Sequence, residues 1–356
     1  MKLQDIITKI QEIELTKTEE GIIKLYTADP DIPPDNRIIK RIKEYVDQFH
    51  YCDTRGTQNL RELIAIKYGV GIKNVLIGCG SRHLLFGLII INPKKRIIVP
   101  DPEWAYDLPI NLSNIVRVKW SSDETGQQFV KKLINKVNQS VDYVLISNPN
   151  NPTSRILSYK SIKKILKEGC NKRNNCFLIE DRAYESLAFC KMQNCILSKK
   201  HIIIGSFSKA FSMPGYRLGY IISKDLDLIA KMKDYIYNSI QCLPICIQKG
   251  ACQAIKYEKE IVKKVKLVYK ERLIIAEKIL QESNIEYIKP KAYPFLYIKV
   301  DNCEIVSEQL LKQGVAVAPS TAFSQNNDFI RVTLVEDIEK IKIAMYKIVK
   351  VIKRRL

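Results

Sequence analysis

The chain is poor in histidine and tryptophan and has no long apolar run. Only 3 histidines and 2 tryptophans occur among its 356 residues. His50, His83 and His201 have no ligand spacing to one another, so no metal site is predicted. No apolar run reaches the roughly 18 residues that cross a bilayer, so no membrane partner is expected. Polar and acidic residues interrupt the apolar pattern of residues 1–10, which predicts a short amphipathic helix and no signal peptide.

The chain contains many cysteines, but their spacing is not that of metal or redox sites. The chain has 10 cysteines and no C-x-x-C pair. A disulfide framework would be unusual in a chain of this length that has an intracellular character. Several cysteines lie within apolar runs, where a free thiol behaves as a small hydrophobic group. We therefore expect buried free thiols and a cytoplasmic location.

The charge is strongly one-sided, with 58 Lys and Arg against 38 Asp and Glu and a formal net charge of +20. Nucleic-acid binding is the first interpretation of such an excess. The basic residues are, however, spread along helical stretches such as 256–278 and form no basic arm or aromatic-interleaved stripe. The excess is therefore attributed to an Ile- and Lys-rich composition, and no nucleic-acid partner is expected.

Short β-branched segments recur along the first two thirds of the chain. Most are apolar throughout, as is typical of strands that are covered on both faces. Helical patterns such as 125–138 and 158–168 lie between them, and this alternation predicts a mostly parallel sheet with helices on both sides. The segments are 74–78, 96–100, 116–119, 142–147, 176–180, 201–205 and 219–222.

After about residue 225 long helical stretches dominate, and the few strands no longer alternate with short helices. This change predicts a smaller α+β domain. The helical patterns are 225–236, 248–283 and 338–353, and the strand-like ones are 295–300, 315–317 and 329–333. The length allows one large and one smaller domain. We assign residues 46–245 to the large domain and residues 1–45 and 246–356 to the small one. The N-terminal segment has no strand partner of its own, so it is expected to pack beside the C-terminal α+β part.

Polar side chains follow three of the predicted strands at the point where each ends. Ligands bind at the carboxyl ends of parallel strands, so these groups are expected to meet at one site. They are Asn151, Asp181, Tyr184 and Lys209. Each has an ordinary alternative when taken alone, since Asn151-Pro152 suits any turn, Asp181 suits a helix cap and Lys209 suits a basic surface.

Together the four suit a phosphate-bearing pyridine aldehyde. A carboxylate such as Asp181 keeps a pyridine nitrogen protonated, and the cation is then an electron sink. Asn151 and Tyr184 are donors for the ring oxygen. The amine of Lys209 suits a Schiff base with the aldehyde carbon.

Further groups suit the phosphate and the ring. A glycine-rich turn follows the strand 74–78 and opens an apolar helix, and a helix N-terminus offers free N–H groups to an anion. Hydroxyls and a guanidinium near Lys209 add donors. An indole after the strand 96–100 would stack on a flat ring, although an ordinary core tryptophan is the alternative. The candidates are Gly80, Ser81, Arg82, Trp104, Ser206, Ser208 and Arg217.

Three motifs carry a family resemblance. Asn-Pro-Asn-Asn-Pro-Thr at 148–153, Asp-Arg-Ala-Tyr at 181–184 and Ser-Phe-Ser-Lys-Ala-Phe at 206–211, with Arg-Leu-Gly-Tyr at 217–220, resemble those of the class I/II pyridoxal-phosphate aminotransferases. The match covers nearly the whole chain. It implies pyridoxal 5'-phosphate as cofactor and a three-layer α/β sandwich (fold type I) with a mostly parallel seven-stranded sheet.

The resemblance also implies roles for single residues. Lys209 would be both the Schiff-base lysine and the proton shuttle of a ping-pong transfer between an amino acid and a 2-oxo acid. Tyr51 would reach the cofactor phosphate of a neighbouring subunit in a homodimer with its active sites at the interface. Arg331, in Phe-Ile-Arg-Val-Thr, would bind the substrate α-carboxylate, which a planar guanidinium suits.

The chain departs from the family pattern at several positions near the substrate. Ala28 stands where glycine is frequent, beside the expected substrate carboxylate, and Arg182 and Ser154 replace a glutamate and a glycine. These changes leave the donor open among aspartate, aromatic residues and histidinol phosphate. A decarboxylase or a β-eliminating lyase on the same fold is the main alternative. Residues 206–209 also form an S-x-x-K, but the Lys-Thr-Gly that serine acylases require is absent.

Overall fold

The structure is a computed structural model that describes residue 8 and residues 21–92, 96–104, 115–137, 141–172 and 176–354. Apart from Thr8, the amphipathic helix expected at residues 1–10 lies outside the described residues. Among the described residues, no helix is long and apolar enough to cross a membrane. All 10 cysteines fall within the described ranges and are free thiols, three of them fully buried.

A seven-stranded sheet forms the centre of the fold, as predicted. Its strands are β2 (Val75–Gly78), β3 (Ile97–Asp101), β4 (Ile115–Lys119), β5 (Tyr143–Ser147), β6 (Phe177–Asp181), β7 (His201–Ser206) and β8 (Gly219–Ser223). They lie in the order β2-β8-β7-β6-β5-β3-β4. Only β8 is antiparallel to its neighbours, so the sheet is mostly parallel.

Helices cover both faces of this sheet and make the fold three-layered. They are α1 (Asn36–Glu44), α2 (Gln58–Tyr68), α3 (Gly80–Ile90), α4 (Gly126–Lys136), α5 (Tyr159–Lys164), α6 (Leu226–Ile240) and α7 (Ile245–Lys256). Alternate residues of β5 serve opposite faces, because side chains alternate along a strand. Leu145 packs with α3 and α6, whereas Val144 and Ile146 pack with α4 and α5.

The C-terminal part contains a second, antiparallel sheet with its own helices. Strands β12 (Ala318–Pro319), β13 (Phe329–Thr333), β10 (Phe295–Lys299) and β9 (Tyr287–Ile288) form it, and helices α9 (Cys303–Lys312) and α10 (Ile338–Lys353) accompany it. In the N-terminal segment, β1 (Ile23–Lys24) pairs in parallel with β11 (Val315–Ala316), which places this segment beside the C-terminal part. The domain boundaries stay a prediction.

The helical pattern predicted over 248–283 is two helices and not one. It divides between α7 and α8 (Glu258–Glu282), and Tyr257 stands at the break with φ −109° and ψ 22°. The acidic residues Glu258 and Glu260 lie in the first turn of α8. Negative charge there favours a helix start, because it faces the positive end of the helix dipole.

A buried cluster of charges supports the strand that carries Asp181. Glu180 is fully buried on β6 and lies 2.9 Å from Arg182 and 3.0 Å from His201. It also accepts a 2.8 Å hydrogen bond from the Asn148 amide. Burial alone would raise the pKa of Glu180, but Arg182 and His201 outweigh it and lower that pKa to about 2. The unexpected arginine of the Asp-Arg-Ala-Tyr motif is thus the partner of a buried carboxylate.

Replacing Glu180 with Gln is expected to lower the free energy of unfolding by roughly 3 kcal/mol, because it leaves a buried guanidinium short of its partner. The measurement is urea unfolding at pH 7. The difference from the wild type should shrink as pH falls from 4.5 towards 2, since a lowered folded-state pKa stabilises only above the unfolded value. Glu282→Gln, whose ion pair with Lys278 is exposed, should change stability by less than about 0.5 kcal/mol. An equal effect of both variants would contradict this account.

Candidate active site

The carboxyl ends of β5, β6 and β7 bring the predicted groups to one edge of the sheet. Ser147 is paired with Asp181, and Asp181 with Ile204, so the three strands end in register. The Asn-Pro turn after β5, the carboxylate at the end of β6 and the lysine after β7 therefore meet where parallel sheets bind ligands.

Lys209 lies beyond β7 with its amine directed into this crevice. Nζ donates a 2.5 Å hydrogen bond to the carbonyl oxygen of Ala28 and lies 6.0 Å from the centroid of the Tyr184 ring. Burial lowers the pKa of Lys209 to about 8; Asp29 opposes this shift and Arg331 adds to it. An amine that loses its proton near neutral pH can act as a nucleophile or a base.

Asp181 forms the floor of the crevice. It is buried, and Oδ1 accepts a 2.9 Å hydrogen bond from the Ala183 N–H. Burial raises the pKa of Asp181 to about 6, against the lowering effects of that bond and of a hydrogen bond from the Trp104 side chain. The hydrogen bond to Ala183 is a local side-chain-to-backbone turn, which an aspartate commonly forms with the residue two positions later. Lys209 acts on this carboxylate only through its charge, and no ion pair with Asp181 is found among the described residues, which suits a protonated ring nitrogen as partner.

Arg331, on β13, is a buried cation for which the described part of the chain provides no carboxylate partner. Nη1 donates a 2.8 Å hydrogen bond to Asn151 Oδ1, Nη2 donates to the Tyr26 carbonyl, and Nε has no partner. The guanidinium lies 4.8 Å from the Phe295 ring centroid and 4.5 Å from that of Phe323. Burial lowers the pKa of Arg331 to about 10. Since an unpaired buried charge is costly, this environment favours an anionic ligand.

A second candidate anion site lies at the start of α3. Gly80 has φ +77°, a conformation that favours glycine, and an added Cβ would lie 2.7 Å from Nη2 of Arg217. No side chain caps the helix, so its first N–H groups are free for an anion. Arg217 itself has φ +51°, a strained conformation of the kind found at ligand sites. Ser81 is the second residue of α3.

The remaining predicted ligands make local contacts with one another. The Arg82 guanidinium is 5.3 Å from the centroid of the Trp104 ring. Ser206 Oγ accepts a 3.1 Å hydrogen bond from the Ser208 N–H, which orders the turn before the lysine. The Arg217 guanidinium beside Gly80, the Arg331 guanidinium with its unsatisfied Nε and the buried carboxyl of Asp181 fit the phosphate, carboxylate and pyridine nitrogen of a pyridoxal phosphate–amino acid pair.

Tyr51 is the predicted ligand that stands apart from this crevice. Its side chain is 77% exposed, and the neighbouring Phe49 is 85% exposed. No hydrogen bond between Tyr51 and the crevice residues is found within the described part of the chain. Its role stays a prediction that requires a second subunit.

Sequence reasoning missed Glu103, which is fully buried between Trp104 and the end of β5. Burial raises the pKa of Glu103 to about 8, although hydrogen bonds from Ser147 and Trp104 favour its ionised form. Its position next to Trp104 was the one available signal. No sequence pattern connects it to Ser147, because the contact depends on the pairing of β3 with β5.

Comparison with known proteins gives a consistent result. The family model described as Aminotransferase class I and II matches residues 20–348. The aspartate aminotransferase of Thermococcus kodakarensis is 30% identical over 87% of this chain and 84% of its own length. The aromatic-amino-acid aminotransferase 2 of Thermococcus litoralis is 25% identical over 96% of this chain and 94% of its own.

Solved structures agree on the fold. The aspartate aminotransferase of Thermotoga maritima has a TM-score of 0.88 at 23% identity and covers 98% of this chain and 96% of its own. The relatives named here are aminotransferases, so a decarboxylase or lyase is not favoured. The chain therefore belongs to the class I and II aminotransferases, pyridoxal-phosphate enzymes that move an amino group from an amino acid to a 2-oxo acid.

Proposed function

We propose that Lys209 is the lysine that carries the cofactor and moves the proton, with Asp181 at the ring nitrogen and Arg331 at the substrate α-carboxylate. The observation that carries this proposal is the convergence of an amine of lowered pKa, a buried carboxyl group and an unpaired guanidinium on one crevice. When bound to the lysine, pyridoxal phosphate supplies an electron sink for the bond that is broken at the substrate Cα.

The chain's own residues would position the reactants. Asn151 uses its Oδ1 to accept from Arg331, so its amide N–H₂ remains to donate to the ring oxygen. Tyr184 lies beside Lys209 and would donate a second hydrogen bond there. Ala28 accepts from the Lys209 amine and would give up this bond when the amine reacts. Gly80, Ser81, Ser206, Ser208 and Arg217 would hold the phosphate, with Arg82 and Trp104 over the ring.

Aspartate is the donor that we propose to test first, because a relative of 30% identity is named for it. The protein would be mixed with one amino acid at a time, in the absence of an oxo acid, and the loss of the bound cofactor's visible absorbance would be followed. Phenylalanine and histidinol phosphate are the comparison donors. In the full reaction with 2-oxoglutarate, we expect glutamate to form. Release of ammonia or CO₂ without glutamate would overturn the proposal.

Arg331→Lys is expected to raise KM for the amino donor by about 10- to 100-fold, the equivalent of one lost charge-assisted hydrogen bond. A lysine keeps the charge but cannot contact both carboxylate oxygens and Asn151 together. The measurement is steady-state kinetics with the donor identified above. Cofactor affinity should be unchanged, because the guanidinium contacts the substrate and not the ring. A variant with normal KM would remove Arg331 from substrate binding.

We also propose a homodimer that works in the cytoplasm. The exposed apolar side chains Val46, Phe49 and Tyr51 form a patch that a second copy would cover. Ten unpaired thiols suit a reducing compartment. In a twofold dimer each Tyr51 would complete the other subunit's phosphate site.

Mixing Lys209→Ala with Tyr51→Ala subunits tests this arrangement. If Tyr51 serves its partner, a hybrid dimer contains one site with both residues intact, and about a quarter of the wild-type activity should return after subunit exchange. Each variant alone should stay near background. Absence of recovery, with hybrid dimers demonstrated by native mass spectrometry, would assign Tyr51 to its own subunit or to no site.

A further inference from the structure

Glu103 occupies an unusual place beside the proposed cofactor site. The side chain is fully buried, yet no lysine or arginine pairs with it among the described residues. Oε1 accepts hydrogen bonds from the Trp104 N–H at 2.9 Å and from Ser147 Oγ at 2.5 Å. Oε2 accepts from the Ser147 N–H at 2.9 Å and from the Asn150 amide at 3.3 Å. Four donors thus converge on one carboxyl group.

These hydrogen bonds join the Trp104 segment, which follows β3, to the Asn-Pro turn that follows β5. Trp104 carries the indole, and Asn150 precedes the asparagine that bonds Arg331. Ser147 links Glu103 to Asn151 as well, because Ser147 Oγ accepts a 3.1 Å hydrogen bond from the Asn151 N–H. The Glu103 N–H donates to the carbonyl of Phe323, whose ring lies against Arg331.

We propose that Glu103 is a positioning residue for the cofactor site, holding Trp104 and the 147–151 turn at a fixed separation beside the crevice. The inference rests on the proposed function, since it assumes that the ring lies in this crevice. A hydrophobic residue of similar size would fill the space but would leave the backbone N–H groups of Trp104 and Ser147 and the Ser147 hydroxyl without the acceptor they have now. A buried donor without a partner costs about 1–3 kcal/mol, so the turn would move to satisfy them.

The test compares Glu103→Ala, Glu103→Gln and Leu133→Ala. Leu133 is fully buried on α4, outside the crevice residues, and its truncation lowers stability without removing any hydrogen bond to Glu103. We expect Glu103→Ala to weaken cofactor binding at least 10-fold in equilibrium dialysis and to shift the pH midpoint of the bound cofactor's absorbance. Glu103→Gln keeps one acceptor oxygen and the volume, so it should fall between Glu103→Ala and the wild type. Leu133→Ala should lower the melting temperature but should change neither the cofactor affinity nor the pH midpoint of the absorbance.

A double variant strengthens the assignment. If Ser147 acts through the same carboxyl group, adding Ser147→Ala to Glu103→Ala should weaken cofactor binding by less than the serine substitution does alone. If Glu103→Ala does not fold, the cofactor affinity of Glu103→Gln is measured in its place. Cofactor affinity within twofold of the wild type in both Glu103 variants would overturn the inference. Failure of the wild type itself to bind the cofactor would instead overturn the proposed function.

Discussion

Lys209→Ala should bind pyridoxal phosphate without a covalent bond and should lose transamination by roughly 10⁴-fold or more. Proton transfer by a positioned base contributes about 10²–10⁴-fold, and the lost covalent attachment adds to this. Borohydride treatment followed by peptide mapping should label residue 209 in the wild type and nothing at that position in the variant. Added methylamine should restore part of the activity, because it replaces the missing amine.

Lys266→Ala is the matched control for this substitution. Its amine is also partly buried and also donates to a backbone carbonyl, that of Ala188, but it lies outside the crevice. Burial lowers the pKa of Lys266 as well, although Lys266 is less deeply buried than Lys209. We expect the control to retain activity within about twofold, since Lys266 lies outside the crevice and makes none of the contacts proposed for cofactor or substrate. Wild-type activity in Lys209→Ala would remove that lysine from the mechanism.

The pH dependence gives an independent check on the lysine. Because the base must be unprotonated, the rate of proton transfer should rise with pH and level off above about 8, the lowered pKa of Lys209. Arg331 contributes to this lowering, so Arg331→Met should move the midpoint upwards. A single-turnover measurement with deuterated donor isolates the step. A flat profile between pH 6 and 9 would contradict the assignment.

The central sheet was predictable because its strands are buried on both faces. A run such as Ile202–Ile204 has no polar position, and such runs separated by helical patterns leave few alternatives to a parallel sheet. The same order of strands places Asn151, Asp181 and Lys209 at one edge, so the three strand-end groups could be predicted to meet without knowledge of their distances.

Other features could not be predicted, because they depend on pairings between distant segments. β1 has two residues and owes its existence to β11, nearly 300 residues later. Glu103 looks like a surface glutamate in the sequence and is buried only because β3 lies beside β5. The partners of Arg182 are similarly hidden, since Glu180 and His201 come together through the β6–β7 pairing.

Asp181→Asn is expected to separate function from stability. Without a carboxylate at the ring nitrogen the cation is no longer favoured, and loss of one such preorganised electrostatic contact costs about 10²–10³-fold in kcat. The amide still accepts from the Ala183 N–H, so the local turn is preserved. Steady-state kinetics and the visible spectrum of the bound cofactor measure the loss. An N-methylated cofactor analogue, whose ring is permanently cationic, should restore part of the rate.

In the cofactor-free protein, Asp181→Asn should raise the stability at alkaline pH, although it lowers the activity of the enzyme with cofactor. Burial raises the pKa of Asp181 from 3.8 to about 6, so the folded chain holds a proton that the unfolded chain releases. Stability of the wild type therefore falls as pH rises between these values, by roughly 3 kcal/mol in total. The neutral asparagine avoids this loss, and the cofactor-free variant should be the more stable protein at pH 8 and equal to the wild type near pH 4. Asp301→Asn, at an exposed position, should show no such crossover. A carboxyl group that destabilises the empty fold and is required for turnover is best explained as a partner for a cation that the ligand brings.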